Sequence, residues 1–392
     1  MEEKFTFSPK LKYFSFALIA IGIIAFIIGY LSDPERVWAN VLIGNYYFLA
    51  LAIGAVFFLA IQYISQSGWS SAFKRIPEAM AGYIPVAFII MILMVLGISY
   101  LYSWTNPHEA GIFNDHELHL LHHKAPYLNV PFFIARMVIY FVLWIVLTRY
   151  LRKLSMKEDV EGGLEYFKKS ELYSKITIFV LAFTFTLAAF DWLMSLEPIW
   201  FSTLFSVKNF ISAFYHGSAV IALIAIMLYN KGYMQFLNKS HLHDFSKYIF
   251  MPAILFGYVW YSQYMLIWYA NIPEETTYFV TRRGLSQTLF VANITLNFII
   301  PFVVLLPNFL AKNKNVLIAV ILIILVGHYV DIFEEIMPGA TGGYTFGFIE
   351  VGTFLGFAGL FIFMVATYLS KANLIPVNHP YLDESLKHHL HS

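Results

Sequence analysis

The sequence contains no cysteine among its 392 residues. This excludes disulfide bonds, thiolate zinc sites, iron–sulfur clusters held by this chain and covalent c-type haem attachment. Charge is also scarce, because only 12% of the residues are charged, against roughly 25% in soluble domains. A chain with so few charges cannot maintain a surface that faces water, so the composition predicts an integral membrane protein. The net charge of +1 gives no indication of a nucleic-acid partner.

The sequence is rich in hydrophobic residues, which make up 59% of the chain, and its mean hydropathy is +0.67. A helix that crosses about 30 Å of hydrocarbon needs roughly 20 mostly apolar residues. The acidic start, with no small-residue cleavage site after the first apolar run, predicts that the first helix is retained and not removed as a signal peptide. We predict an all-α membrane protein of about ten transmembrane helices, at residues 12–31, 41–64, 83–103, 131–151, 173–196, 207–229, 246–270, 287–310, 316–336 and 345–369.

The distribution of Lys and Arg predicts the orientation in the membrane. Cytoplasmic loops carry an excess of these residues. With a cytoplasmic amino terminus, nineteen of the 25 Lys and Arg residues fall on the inner side. The other six are Arg36, Lys124, Arg136, Lys208, Arg282 and Arg283. We therefore expect a multi-pass protein with both termini in the cytoplasm.

Two long connections organise the chain. The outer loop at residues 104–130 holds five histidines, and the charged inner stretch at residues 152–172 is expected to be a solvated helical hairpin or linker. Residues 68–83 are expected to form a short interfacial helix. The resulting division is 1–40 (tail and first helix), 41–172 (start of a first helical bundle with both loops), 173–344 (helices five to nine) and 345–392 (tenth helix and cytoplasmic tail).

Polar side chains within the transmembrane segments are the candidate functional residues, because such groups are costly unless they meet a partner or a cavity. All are predicted to lie in the outer leaflet or at its edge, which indicates a polar cavity that opens outward. We expect one protonatable cluster of Asp191, His216, His328 and Asp331, with Thr177 and Thr184 leading toward the inner side and Glu335 and Glu350 toward the exit. Gln263, Asn293 and Asn297 are candidates for lining a polar or ligand-binding cavity.

A structural interpretation of the same residues stays open. A single Asn or Gln in a membrane helix is often an interhelical hydrogen bond and not a site, and Glu334, Glu335 and Glu350 would also be placed at the membrane interface. Gly352, Gly356 and Gly359 indicate close helix packing.

The outer segments are expected to dock partner proteins. The histidines of residues 104–130 are spaced too loosely to predict a metal site. We expect this loop and residues 271–286 to form docking surfaces, with Arg282 and Arg283 paired to acidic groups of another subunit or to lipid phosphate.

Two stretches carry a family resemblance: FDWLMSLEPIWFSTLFSV (190–207) and HKAPYLNVPFFIARM (123–137). Through them, and over essentially the whole chain, the sequence resembles the membrane subunits of alternative complex III, the bacterial quinol:electron-acceptor oxidoreductase, and in particular the second of its two large integral subunits. These subunits belong to the NrfD/polysulfide-reductase membrane-subunit family. The resemblance implies a bacterial inner-membrane protein with two four-helix bundles, helices two to five and six to nine, flanked by helices one and ten.

The resemblance also implies partners and cofactors. In that complex a periplasmic iron–sulfur subunit takes electrons from quinol, and multihaem cytochrome c subunits pass them to a terminal oxidase. The implied partners further include a paralogous NrfD-like membrane subunit and membrane lipid. This chain itself is expected to bind no redox cofactor, since haem c and the iron–sulfur clusters reside in partner subunits. The resemblance places the quinol site beside the iron–sulfur cluster in the paralogous subunit, and leaves open whether menaquinol or ubiquinol also binds in the polar cavity of this chain. It implies that Asp191, His216, His328 and Asp331 are candidate proton-path residues.

Three other functions stay open. A secondary transporter would place its binding groups near the bilayer midplane on broken helices. A purely structural anchor would hold its polar residues in solvated pockets. A haem b protein would use His216 and His328 as axial ligands from facing helices.

The predicted orientation can be tested with reporter fusions. Alkaline phosphatase folds only outside the cytoplasm, so a fusion at residue 115 is expected to be active and one at residue 160 inactive. The reverse pattern would show that the assignment of inner and outer sides is wrong.

Overall fold

The computed structural model of the protein describes residues 3–389, apart from the side chain of Glu109. Within this range the chain is helical and contains no β-strand, only an isolated bridge between Lys4 and Asn373. Residues 390–392 of the predicted cytoplasmic tail lie outside the described range. The long helices are α1 (Pro9–Ser32), α2 (Pro34–Ile64), α3 (Ser71–Leu101), α4 (Val130–Glu161), α5 (Leu164–Trp192), α6 (Thr203–Asn230), α7 (Lys239–Ala270), α8 (Gln287–Leu305), α9 (Lys314–Thr341) and α10 (Phe348–Leu369).

Nine helices of the described range are long and apolar enough to cross a membrane, which confirms the prediction of a helical, membrane-spanning architecture. Each of the ten predicted segments overlaps one of the helices α1 to α10. The exception to the hydropathy pattern is α7, which contains the predicted segment 246–270. It is long enough to span, but its tyrosines and Gln263 make it less apolar than the other nine.

Short helices lie in the connections. The outer loop contains Pro107–Ala110 and Asp115–Lys124, the α7–α8 connection contains Pro273–Leu285, and Asn308–Ala311 and Leu382–Leu386 follow α8 and α10. The Asp115–Lys124 helix begins with a capping box, in which Asn114 accepts a hydrogen bond from the Glu117 N–H and the Glu117 carboxylate accepts from the Asn114 N–H. The histidine-rich loop is therefore largely helical.

Helix α2 is the centre of the molecule. It is buried along almost its whole length and packs against α5, α6, α9 and α10. Its closest approach is to α6, where a Cβ added to Gly54 would lie 1.8 Å from the carbonyl oxygen of Ala213, and one added to Gly217 would lie 2.8 Å from the Gly54 backbone. Two helices can come this close only where both lack side chains.

Helix α1 packs mainly on α10. A Cβ on Gly22 would lie 2.5 Å from the Cα of Gly356, and one on Gly352 would lie 2.5 Å from the side chain of Ala25. A Cβ on Gly359 would meet Leu18 at 2.8 Å. The predicted packing role of Gly352, Gly356 and Gly359 is thus confirmed.

Residues 68–83 contain the predicted helical segment, at Ser71–Phe73, Arg75–Met80 and Ala81–Tyr83, but it is not exposed on the surface as expected of an amphipathic interfacial helix. The segment folds inward, and Lys74, Arg75 and Glu78 are buried. Lys74 pairs with Glu158 of α4 and Arg75 pairs with Asp159. Because each cation has an acidic partner, this amphipathic stretch can be buried without leaving an unpaired charge.

The connection at residues 152–172 is a helical hairpin, as predicted, but only partly solvated. The turn between α4 and α5 lies at Gly162 and Gly163, whose φ angles of +68° and +80° favour glycine. One face of α4 is buried here through Ser155 and Glu158.

The chain after α10 crosses the same end of the bundle. Ser385 Oγ donates to the Trp69 carbonyl, and His388 Nε2 lies 2.6 Å from an Asp244 carboxylate oxygen. Burial, together with the nearby cations of residues 74 and 75, lowers the pKa of His379 to about 2, so this ring packs as a neutral group.

The glycine contact between α2 and α6 makes a stability prediction. In Gly54→Ala the new methyl group meets backbone and not a movable side chain, so the helices must separate. We expect a loss of about 1–3 kcal/mol, measured as a lower thermal unfolding midpoint in detergent. The matched control is Gly284→Ala, where nothing lies within 4 Å of the added Cβ. Equal midpoints for wild type and Gly54→Ala would contradict the packing described here.

Candidate functional site

The two ends of the helical bundle differ in their buried polar groups. We call the end that carries residues 104–130 and 271–286 the loop end, and the opposite end, which carries both chain termini, the terminal end. At the loop end, α6, α8 and α9 bury a group of polar side chains that we call the ionic cluster: Lys208, Asn293, Asp331, Glu334 and Glu335. None of the five side chains has more than a few per cent of its surface exposed.

A lysine bridging two carboxylates forms the centre of the ionic cluster. Lys208 Nζ lies 2.6 Å from Asp331 Oδ1 and 2.6 Å from Glu335 Oε1. The two acids are four residues apart on α9, so they lie on the same face of the helix and point at the same partner on α6. Asn209, next to Lys208, donates a hydrogen bond of 3.0 Å to Glu335 Oε1.

The third carboxylate joins through an asparagine of α8. Asn293 Nδ2 donates to Asp331 Oδ1 at 2.9 Å and to Glu334 Oε2 at 2.8 Å. One carboxylate oxygen each of Asp331, Glu334 and Glu335 receives no hydrogen bond from the part of the chain that the structure describes. One ammonium group therefore faces three buried carboxylates. If all were ionised, the excess negative charge would be costly to bury, so this arrangement favours the uptake of a proton.

A small cavity borders these carboxylates. Its volume of about 20 Å³ is enough for a single water molecule. It is far below the 300–1,000 Å³ of typical small-molecule sites, so it cannot hold a quinol ring. The predicted cavity residues Gln263 and Asn293 do line it, together with Lys208, Asp331, Glu334 and Glu335. The third predicted cavity residue, Asn297, bonds to a histidine instead.

Two stacked histidines lie next to the ionic cluster. The rings of His216 and His328 are 4.0 Å apart between centroids, with an interplanar angle of 16°. The ring of Tyr47 of α2 also contacts His328, with 4.5 Å between the ring centroids. Axial ligands of one haem must stand on opposite faces of the macrocycle, and rings in direct contact leave no space for it. This geometry does not fit the haem b alternative.

A chain of hydrogen bonds joins the histidines to the carboxylates. His216 Nε2 lies 3.0 Å from Asn297 Oδ1, and Asn297 Nδ2 donates to Asn293 Oδ1 at 2.9 Å. Asn293 in turn donates to Asp331. Asn297 sits in a π-helical turn, Thr295–Ile299, a local widening that is frequent at functional sites. The predicted residues His216, His328, Asp331, Glu335, Asn293 and Asn297 are thus brought together.

Asp191 lies outside this group, so the prediction that it shares a cluster with Asp331 and the histidines is wrong. Arg136 of α4 holds it in a bidentate pair, with Nε 2.8 Å from Oδ2 and an Nη 2.9 Å from Oδ1. Tyr140 also donates to Asp191 Oδ2 at 3.1 Å. Because α4 and α5 form a hairpin, their side chains satisfy each other.

The predicted inner and outer extensions of the path are also separate from the ionic cluster. The hydroxyls of Thr177 and Thr184 donate to carbonyls one turn earlier in α5, at 2.7 Å each. Glu350 accepts from Arg36 Nε at 2.8 Å and from Asn40 Nδ2 at 2.9 Å. It also accepts from the Gly347 N–H and so caps the start of α10. These groups have structural partners within the chain.

Arg282 was predicted to pair with another subunit or with lipid phosphate, but it pairs within the chain. It is buried, with one Nη 2.6 Å from Glu197 Oε1 and Nε 2.9 Å from the Glu334 carbonyl. Burial alone would lower the pKa of Arg282, but Tyr278 and Glu197 more than offset this, and its pKa is raised above the usual value. Arg283 is exposed, and its pairing with another subunit or with lipid phosphate stays a prediction.

Arg136 and Lys208 are not among the predicted site residues, although their position on the predicted outer side distinguishes them in the sequence. The six cations on the predicted outer side are exceptions to the positive-inside bias, and four of them have acidic partners: Arg36 with Glu350, Arg136 with Asp191, Lys208 with Asp331 and Glu335, and Arg282 with Glu197. Lys124 donates to the Pro198 carbonyl. Cations in or beside transmembrane segments on the disfavoured side therefore mark acids with which they pair.

The histidines of the outer loop lie on and around the short helix Asp115–Lys124. His119 and His123 are exposed and in ring contact at 4.6 Å. Among the described side chains of residues 3–389, which do not include Glu109, no three His, Asp or Glu groups are arranged to hold a metal ion.

A scan against protein-family models and a search of curated proteins found no match for the chain.

Adjacent arginines provide a matched test of the buried pairs. Arg282→Ala removes the guanidinium that donates to Glu197 and to three backbone carbonyls, and we expect it to cost about 3–5 kcal/mol of stability. Arg283→Ala removes an exposed charge and should change stability by less than about 0.5 kcal/mol. Unfolding in detergent, followed by tryptophan fluorescence, measures both. Similar effects of the two variants would contradict the assignment of Arg282 as a buried ion-pair partner.

Proposed function

We propose that the chain is an integral membrane subunit of a bacterial respiratory quinol:electron-acceptor oxidoreductase of the alternative complex III type. In this proposal it belongs to the NrfD/polysulfide-reductase membrane-subunit family and lies in the inner membrane, with ten transmembrane helices and cytoplasmic termini. Helices α2 to α5 and α6 to α9 are its two four-helix bundles, flanked by α1 and α10. Its role is to anchor periplasmic redox subunits and to conduct protons at the loop end, which faces the periplasm.

The observation that carries the proton-conducting role is Lys208 held between Asp331 and Glu335 in a buried site. A purely structural ion pair needs one acid for one base, and the pairs Arg136–Asp191 and Arg36–Glu350 have that composition. The ionic cluster has three acids for one lysine, and three of its carboxylate oxygens lack a donor from the described chain. Groups of this kind mark proton paths in membrane proteins.

The histidine pair extends the path away from the carboxylates. His216 Nδ1 lies 2.7 Å from the Ser212 carbonyl and Nε2 lies 3.0 Å from Asn297 Oδ1. Both partners are acceptors, so only the doubly protonated ring donates to both. The group able to exchange a proton with His216 is the Ser212 hydroxyl, 3.2 Å from Nδ1, because a hydroxyl both donates and accepts, while Asn297 orients Nε2 toward the carboxylates. His328, stacked on it and 3.4 Å from Ser212 Oγ through Nδ1, is the next group in line.

The cavity size supports proton handling over quinol oxidation by this chain. Quinol, as menaquinol or ubiquinol, is then oxidised in the complex beside the periplasmic iron–sulfur subunit, at a site of the paralogous membrane subunit. The exposed histidine helix Asp115–Lys124 and the exposed side chains of Pro273–Leu285 are the surfaces proposed to dock the iron–sulfur and multihaem cytochrome c subunits. These subunits carry electrons toward a terminal oxidase.

The proton-conducting role is tested by neutralising the acids. Asp331→Asn and Glu335→Gln keep the side-chain shape, and in each variant Lys208 retains one carboxylate, so the fold should survive. We expect an assembled complex in which quinol turnover or proton release falls roughly a hundredfold, as when a positioned proton-transfer group is removed.

Purified complex in liposomes, with a pH dye outside and quinol as donor, measures both quantities. Glu35→Gln is the control, because this acid is exposed in the first turn of α2 and lies outside the proposed docking surfaces, and it should behave as wild type. If both cluster variants retain wild-type turnover and proton release, the subunit is an anchor.

A further inference from the structure

A long groove runs along the bundle, away from the ionic cluster. It has a volume of about 710 Å³ and lies between α10, α9, α6 and α2, with the start of α1 and Phe5 at its terminal end. Its floor is formed by residues such as Leu51, Ile224, Leu325 and Phe354. The lining is almost entirely carbon. The groove exists because α1 packs mainly on α10 and does not cover the space between α10 and α6.

The shape of the groove fits an extended apolar chain. Val351 and Leu369 of α10 both line it, and their eighteen positions correspond to roughly 27 Å along a helix. This length is close to the approximately 30 Å of a bilayer's hydrocarbon core. The volume is within the range of small-molecule sites. An occupant therefore needs a long hydrocarbon chain that lies parallel to the helices.

The two ends of the groove differ in charge. At the terminal end the lining includes Lys231, which is exposed and has no acidic partner in the described part of the chain. Nearby, Lys314 Nζ lies 2.8 Å from Asn230 Oδ1 and adds a second cation. At the loop end the ionisable lining residue is Glu350, whose carboxylate is already bonded to Arg36 and Asn40. A charged ligand group thus finds a free counter-charge only at the Lys231 end.

We propose that the groove binds one anionic phospholipid, with an acyl chain along α10 and the phosphate at Lys231. The lysine ammonium acts as a point charge for the phosphate, and the carbon lining replaces the surrounding lipid. The bound chain contacts Tyr47 from the groove side, and Tyr47 packs on His328 with its ring. The lipid therefore supports the wall behind the histidine pair. This inference is independent of the proposed respiratory function.

The test is native mass spectrometry of the full-length protein, delipidated and then titrated with phosphatidylglycerol or phosphatidylcholine of identical acyl chains. We expect one saturable site that prefers phosphatidylglycerol. Lys231→Glu should weaken phosphatidylglycerol binding about five- to tenfold, since one lysine near a membrane surface contributes about 1 kcal/mol and its reversal more. Ala358→Trp, which fills the groove, should abolish binding of both lipids.

Two controls separate this site from general lipid contact. Lys153→Glu changes an exposed lysine of α4 outside the groove, and Val146→Trp enlarges an exposed residue of α4. Both should bind like wild type. Equal affinity for the two lipids, no effect of Lys231→Glu and Ala358→Trp, or an isoprenoid quinone as the molecule retained after purification would each overturn the proposal.

Discussion

The structure depends on the cost of burying charge in an apolar protein. A charged side chain inside such a bundle must meet an opposite charge and hydrogen-bonding partners, or it destabilises the fold. At the loop end, Arg136, Lys208 and Arg282 are all buried, and each meets at least one carboxylate at 2.6–2.8 Å. These pairs tie α4 to α5, α6 to α9, and the Pro273–Leu285 helix to the chain after α5. Electrostatic pairing thus fixes contacts that hydrophobic packing alone would leave interchangeable.

The same constraint separates structural charges from the candidate functional site. Asp191 and Glu350 are saturated by a guanidinium group and by further donors, so their carboxylates have little capacity left. Lys208 instead divides its charge between Asp331 and Glu335, with Glu334 nearby and Asn293 between them. The excess of acid around a cavity of about 20 Å³ gives this site a chemical reason to exchange protons.

Helix positions were predictable because a membrane-spanning helix is specified by the length of its apolar run, and all ten predicted segments overlap long helices. The packing of Gly352, Gly356 and Gly359 was predictable for a similar local reason. The pairing of Asp191 with Arg136 was not, because hydropathy and helical spacing place residues by depth and face but do not identify the neighbouring helix. The burial of residues 68–83 was missed for the same reason, since their partners Glu158 and Asp159 lie some 80 positions along the chain.

The proposed function depends most directly on which proteins bind this chain in its native membrane. Affinity purification of the tagged chain from native membranes, in mild detergent, tests it in one experiment. We predict that three signals elute together with the chain in size-exclusion chromatography, each in a constant ratio to the amount of chain. They are c-type haem absorbance, iron–sulfur resonances and quinol-oxidising activity. Recovery of the chain alone, without haem, iron or quinol oxidation, would contradict it.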